Sequence, residues 1–181
     1  MFYNCSNLTS LDVSGFKTSK VTNMVSMFYY CNGLTSLDVS GFDTSEVTDM
    51  NHMFNNCSKL TSLDVSNFDT SKVTTMIHMF SGCSNLTRLD LSGFDTSKVT
   101  NMTSMFSNCT NLTSLNVTLW PLNDMTQSAI NSLPSGDDEN KIRASEYFSV
   151  PTGWTLVYSN PYDIAIYTCN ASGILPTFNE E

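Results

Sequence analysis

Charge is scarce in this chain. Asp, Glu, Lys and Arg make up 14% of its residues, against roughly 25% in an average globular domain. Cations are scarcer still: 8 Lys and Arg stand against 17 Asp and Glu, for a net charge of −9 and a pI near 4.4. Such a chain has no basic stripe with which to hold nucleic-acid phosphates, and little to draw it to anionic lipid. No run of 18 apolar residues exists, so no membrane-spanning helix and no membrane insertion are expected. No basic-then-apolar leader opens the sequence. Also missing are a nucleophile elbow, a Gly-rich phosphate loop and a His-rich metal motif. The carboxylates do not pair around an obvious cleft. The expectation is a chain that is not an enzyme and that carries neither metal nor cofactor.

What is present is regular. Ser, Thr and Asn fill 67 of the 181 positions, and hydrophobic residues supply 40%, enough for a core. Cys5, Cys31, Cys57, Cys83 and Cys109 are spaced by 26 residues throughout. Leu8, Leu34, Leu60, Leu86 and Leu112 keep the same period, as do Leu11, Leu37, Leu63, Leu89 and Leu115. Phe16, Phe42, Phe68 and Phe94 follow suit, with Trp120 in the next such slot. Met27-Phe28, Met53-Phe54, Met79-Phe80 and Met105-Phe106 echo Met1-Phe2. The unit reads M-F-x-x-C-x-x-L-T-S-L-D-V-S-x-F-x-T-S-x-V-T-x-M-x-x.

A gapless period means coils stacked one on the next, each burying what it cannot bury alone. Leu8, Leu11 and Val13 have leucine-rich-repeat spacing. Leu11 and Val13 share one face of a short strand, with Asp12 and Ser14 on the other. Val21 to Met24 reads as a second extended stretch, and Met27-Phe28 to Cys31 as a short helical or 3₁₀ turn. The predicted fold is a repeat solenoid, a leucine-rich-repeat-like right-handed stack with parallel strands, plus a small α+β C-terminal cap. Its solenoid of about four and a half coils covers residues 1–118, and the cap covers 119–181.

The 26-residue unit resembles the BspA-like bacterial surface-protein repeat, also met in mycoplasma lipoproteins and lactobacillus surface proteins. The resemblance rests on M-F-x-x-C-x-x-L-x-x-L-D-V-S-x-F-x-T-S-x-V-T-x-M and covers about two thirds of the chain. It implies a cell-surface or secreted location. It also implies adhesion to proteins or glycans of host or microbial surfaces.

The ends break the pattern differently. Met1-Phe2 opens in mid-unit with no polar cap before it, which reads as part of a longer array. The alternative is an open end that pairs with another chain. After Thr118 the repeat fails: Pro121 replaces the Asp slot, and no Met-Phe pair stands at 131–132. A helix is expected over about 123–133, closed by Pro134-Ser135-Gly136. A polar loop follows at 137–140, then strands at Tyr147–Val150, Trp154–Tyr158 and Ile164–Thr168. Residues 1–118 carry 6 basic and 9 acidic side chains, and 119–181 carry 2 and 8. An acidic cap of this kind discourages end-to-end association.

The candidate sites fall on ladders. The five repeat cysteines read as buried, reduced core residues rather than disulfides, because ladder side chains run parallel and an odd one is left over. Cys169 reads as unpaired. Asp12, Asp38, Asp64 and Asp90, with Asn116 after them, form an outward ladder engaged in structural hydrogen bonds. Asp43, Asp69 and Asp95 begin D-T-S turns. Thr9, Thr35, Thr61, Thr87 and Thr113 form an outward threonine row. His52 and His78 share a slot that Ser26 and Ser104 fill elsewhere, and read as surface residues without a third ligand. Slots that vary between units are expected to be exposed. On that basis Tyr3, Tyr29, Tyr30, His52, Ile77 and His78 form the candidate ligand-contact patch, with aromatic anchors on a Ser/Thr surface. A structural spacer with no ligand of its own is the competing expectation.

Overall fold

The computed structural model describes residues 1–112, 114–117, 120, 124–133, 140–144, 154–160 and 164–169. Successive 26-residue units lie in register. The amides of Met24, Ser26, Phe28 and Tyr30 donate to the carbonyls of Asp49, Asn51, Met53 and Asn55 one unit on, at 2.8–3.0 Å. The pattern repeats from Met50, His52, Phe54 and Asn56 to Thr75, Ile77, Met79 and Ser81, and again one unit later. Single parallel bridges join Asn23 to Asp49, Asp49 to Thr75 and Thr75 to Asn101.

Between those amides the chain turns on itself. The carbonyls of Met24, Ser26 and Phe28 accept from the amides of Met27, Tyr29 and Cys31, each at 3.2 Å. Ser26 and Tyr30, third in the Met24 and Phe28 turns, have φ of 54° and 57°. That is the type II signature. The short helical or 3₁₀ turn expected here is therefore replaced by linked turns. A sign change in φ every four residues stops a right-handed helix from propagating.

The expected strands are rarer than predicted. Among the described residues before Asn116 the first ladder to close is between β1 (Arg88–Asp90) and β2 (Ser114–Asn116), which are parallel. There Asp90 faces Asn116, whose Nδ2 donates to the carboxylate at 3.1 Å. Between earlier units Asp would face Asp, and like charges directly opposite oppose pairing.

Inside, the apolar slots form columns. Phe2, Phe28, Phe54, Phe80 and Phe106 stack with centroids 5.6–6.2 Å apart, and Trp120 ends the column 6.3 Å from Phe106. A second column pairs Phe16 with Phe42 and Phe68 with Phe94. The Met, Leu, Val and Cys slots of units two to four are buried around them.

The C-terminal part continues the stack. Helix α1 (Asp124–Asn131) buries Thr126, Ala129 and Ile130, with Leu133 just beyond. Ser132 stands one period after Phe106, where a Phe would be. Its Oγ accepts from the Phe106 amide at 3.0 Å, the donor that in earlier units reaches the next Met carbonyl. Strand β3 (Asn140–Ala144) pairs parallel with β2, as Ser114↔Lys141 to Asn116↔Arg143. Strands β4 (Trp154–Asn160) and β5 (Ile164–Cys169) add antiparallel, in the order β1-β2-β3-β5-β4. Asn140 thus begins a strand instead of ending the expected polar loop. The predictions at Pro134–Gly136, at 137–139 and at Tyr147–Val150 lie outside the described residues. So do Thr113, Pro121 and the Cys169 side chain.

Candidate functional site

The patch residues come together along one flank of the stack, and the turns explain how. Tyr3 and Tyr29 occupy the second position of their turns. Their rings stack at 4.8 Å, 12° from parallel. Tyr30 lies 4.7 Å from Tyr29, tilted by 46°. The His52 ring meets the Tyr29 edge at 5.8 Å, and His78 stacks on His52 at 5.0 Å. The result is one continuous aromatic row across successive units. Tyr3 is 63% and Tyr30 39% exposed, while Tyr29, His52 and His78 are half-buried beneath their neighbours. Ile77 is half-buried beside His78, its amide held by Asn51 Oδ1.

Exposure does not follow slot variation as expected. Asn55 and Ser81, in the slot of Tyr3 and Tyr29, are only 5% and 7% exposed. Their small polar side chains turn inward, and Asn55 Nδ2 donates to the His78 carbonyl at 3.3 Å. In the same slot Tyr3 is 63% exposed and Tyr29 half-buried. The adjacent slot varies for a backbone reason. Asn4, Tyr30, Asn56, Gly82 and Asn108 all have positive φ, which favours Asn and Gly. At Gly82, with φ 76°, an added Cβ would also sit 2.5 Å from Asn56 Oδ1. Tyr30, His52 and His78 adopt the same left-handed region without that advantage, a conformation that costs roughly 1–2 kcal/mol per residue.

Electrostatics in the row favour neutral groups. Burial pushes the Tyr29 phenol up, and Tyr3 and Tyr30 add to it. Burial draws the His52 imidazole down, as does His78, against an opposing pull from Asp49. His52 Nδ1 is shut away without a hydrogen-bond partner. Among the described residues no group of three His, Cys, Asp or Glu is placed to hold a metal ion.

The ladder side chains are engaged in hydrogen bonds with the chain itself. Asp12, Asp38, Asp64 and Asp90 each accept the amide of the Ser two residues on, at 2.9 Å. Asp43, Asp69 and Asp95 do the same for Ser45, Ser71 and Ser97. These bonds hold the carboxyls of Asp12, Asp38, Asp43, Asp64, Asp69 and Asp95 below their ordinary range. Cys31, Cys57, Cys83 and Cys109 donate to the carbonyls of Phe2, Phe28, Phe54 and Phe80 at 3.0–3.2 Å. Cys5 and these four are free thiols. Burial pushes Cys57 and Cys109 up to about 12, and Cys83 well above its ordinary value. Cys5 alone among the five is only half-buried.

Sequence reading missed one coupling. Asn23, Asp49 and Asn101 each accept the amide two residues on. Thr75 fills that slot without a carbonyl oxygen on its side chain. Asn51 of the preceding unit reaches across instead, accepting the Ile77 amide at 2.6 Å and the Thr75 hydroxyl at 2.7 Å. The departure of Thr75 from an Asx slot was the available signal.

The described residues also leave an open, mostly apolar cleft of about 370 Å³ beside Met1, Phe16, Val21, Val25 and Met27. Lys17, Thr18 and Asn23 are its polar lining residues, and it holds no acid–base pair. No helix among the described residues is long and apolar enough to cross a membrane. Residues 32–132 match the family model described as Mycoplasma protein of unknown function, DUF285. No curated protein and no solved structure matches the chain.

Proposed function

On the footing that this chain belongs to the DUF285 family, we propose that it is a non-enzymatic binding module of a bacterial cell surface. In this reading it is a BspA-like, leucine-rich-repeat solenoid with a C-terminal cap, and it contacts a host or microbial protein or glycan. The observation that carries the reading is the aromatic row from Tyr3 through Tyr29, Tyr30 and His52 to His78. The Asp12-type and Thr22-type rows repeat nearly unchanged from unit to unit and are tied into turns and ladders. The row departs from that uniformity, and it places large side chains on a Ser/Thr surface. Tyr30 keeps a left-handed backbone at an energetic cost, which is a mark of a position selected for something other than stability.

The second reading, a spacer, is favoured by the uniform rows alone: a stalk needs only rigidity. Binding of the purified chain to immobilised matrix proteins, mucins and glycans separates the two. Saturable binding by the folded chain supports the module. Its absence across the panel supports the spacer.

A further inference from the structure

We propose that His52 and His78 form a two-imidazole site for a divalent transition-metal ion, a role distinct from contact with a macromolecular partner. The two residues are one period apart, and the backbone holds them rigidly in register. The His52 amide donates to the Ile77 carbonyl at 2.8 Å, and the His78 amide to the Thr103 carbonyl at 3.0 Å. Both have positive φ, 57° and 53°, so both side chains leave the turn in the same direction. Their rings lie side by side, 5.0 Å between centroids and 23° from parallel.

The donor chemistry selects the ion. Imidazole nitrogen suits Zn²⁺, Ni²⁺ and Cu²⁺ and suits Mg²⁺ or Ca²⁺ poorly. Zn–N bonds of about 2.0–2.1 Å put two tetrahedral ligands roughly 3.3 Å apart. The near-parallel rings, 5.0 Å apart, hold their nitrogens side by side, so each ring must turn about its side-chain bonds for the two lone pairs to converge on one ion. His52 Nδ1 is buried without a partner, so Nε2 is the nitrogen that takes the ion. The buried Nδ1–H has no acceptor to orient the ring, a feature that places the site among the weaker ones. Two protein ligands leave the remaining positions to water, or to a donor from a bound molecule.

The test exploits a property of the sequence: the chain has 2 His. Zn²⁺ is titrated into the full-length chain while the imidazole carbon-bound proton signals are followed by NMR, with affinity measured by calorimetry. Both imidazoles are expected to shift together and saturate at one equivalent. His52→Ser and His78→Ser serve as variants, because Ser26 and Ser104 already occupy that slot in other units. Removing even an outer-shell partner costs about 10–100-fold in metal affinity, so losing one of two ligands costs at least as much. Imidazole signals that stay unmoved at one equivalent overturn the site. So does a shift of only one ring, or a His78→Ser variant that keeps the full affinity. Thiol capture at Cys5 would appear as Zn²⁺ binding with unmoved imidazoles, and it too would overturn the proposal.

Discussion

Phe54→Ala is the sharpest perturbation of the stack. Phe54 has no solvent exposure, and its ring lies 5.6 Å from Phe28, 5.8 Å from Phe80 and 6.4 Å from Phe68. Losing the buried ring removes about 2–3 kcal/mol of transfer free energy. Each ring pair adds about 0.5–1.5 kcal/mol, the lower figure suiting an offset stack. The void cannot close easily, because backbone bonds fix the spacing of the units on both sides: Phe28 to Met53 and Phe54 to Met79. The expected loss is about 3–5 kcal/mol. Phe2→Ala is the control: that ring is partly exposed and has a described unit on only one side. In a stack whose stability is a sum of unit and neighbour terms, it should cost about half as much. Urea unfolding followed by circular dichroism and tryptophan fluorescence reads both. A Phe54→Ala loss under about 1 kcal/mol, or one no larger than that of Phe2→Ala, would refute the claim that the column holds the units together.

Three further outcomes follow from the same geometry. In native protein at pH 8, a maleimide or disulfide reagent should label Cys5 quickly and Cys31, Cys57, Cys83 and Cys109 only on unfolding; mass spectrometry of the labelled peptides reads this. Asn51→Ala orphans the Ile77 amide and the Thr75 hydroxyl and should cost about 1–3 kcal/mol. Adding Thr75→Asn should restore most of it, since the introduced side-chain carbonyl would hold the Ile77 amide as Asn23, Asp49 and Asn101 hold theirs; a denaturant series on both variants decides. His52 titrates below its ordinary 6.5 in the folded chain, so the unfolded chain binds the extra proton first. Stability should therefore be full above about pH 6.5 and fall as pH drops through the lowered value. His52→Ser should flatten that part of the pH–stability curve.

Much of the core was legible because the period carries it. Slots held by Phe, Met, Leu and Cys in every unit could only be interior, and the columns and thiol ladder stand where the spacing put them. Local conformation was less legible. Met-Phe-x-x-Cys has helix-like spacing, yet Asn4, Asn56, Gly82 and Asn108 in one slot already carried the mark of positive φ, and linked turns result. The strand prediction rested on alternation at Leu11 and Val13, whereas the first ladder in the repeats forms where Asp90 meets Asn116 instead of a second Asp. The missing Met-Phe pair at 131–132 marked where the strict repeat stops, and there Ser132 supplies a side-chain oxygen where a carbonyl serves in earlier units. Of the site, the aromatic row was legible from the slots. The inward turn of Asn55 and Ser81 was not, since side-chain size and the space behind each turn decided it.

The most direct test of the central claim is the affinity ratio between the chain and a Tyr29→Ser, Tyr30→Asn, His52→Ser variant, measured on whichever surface of the panel binds the chain. Each substitution installs a residue that the repeat already carries in that slot: Ser81, Asn56 and Ser26. Contact anchors cost upward of about 2 kcal/mol when removed, so the account predicts at least a roughly thirtyfold loss with the fold intact by circular dichroism. An unchanged affinity in the folded variant would contradict it.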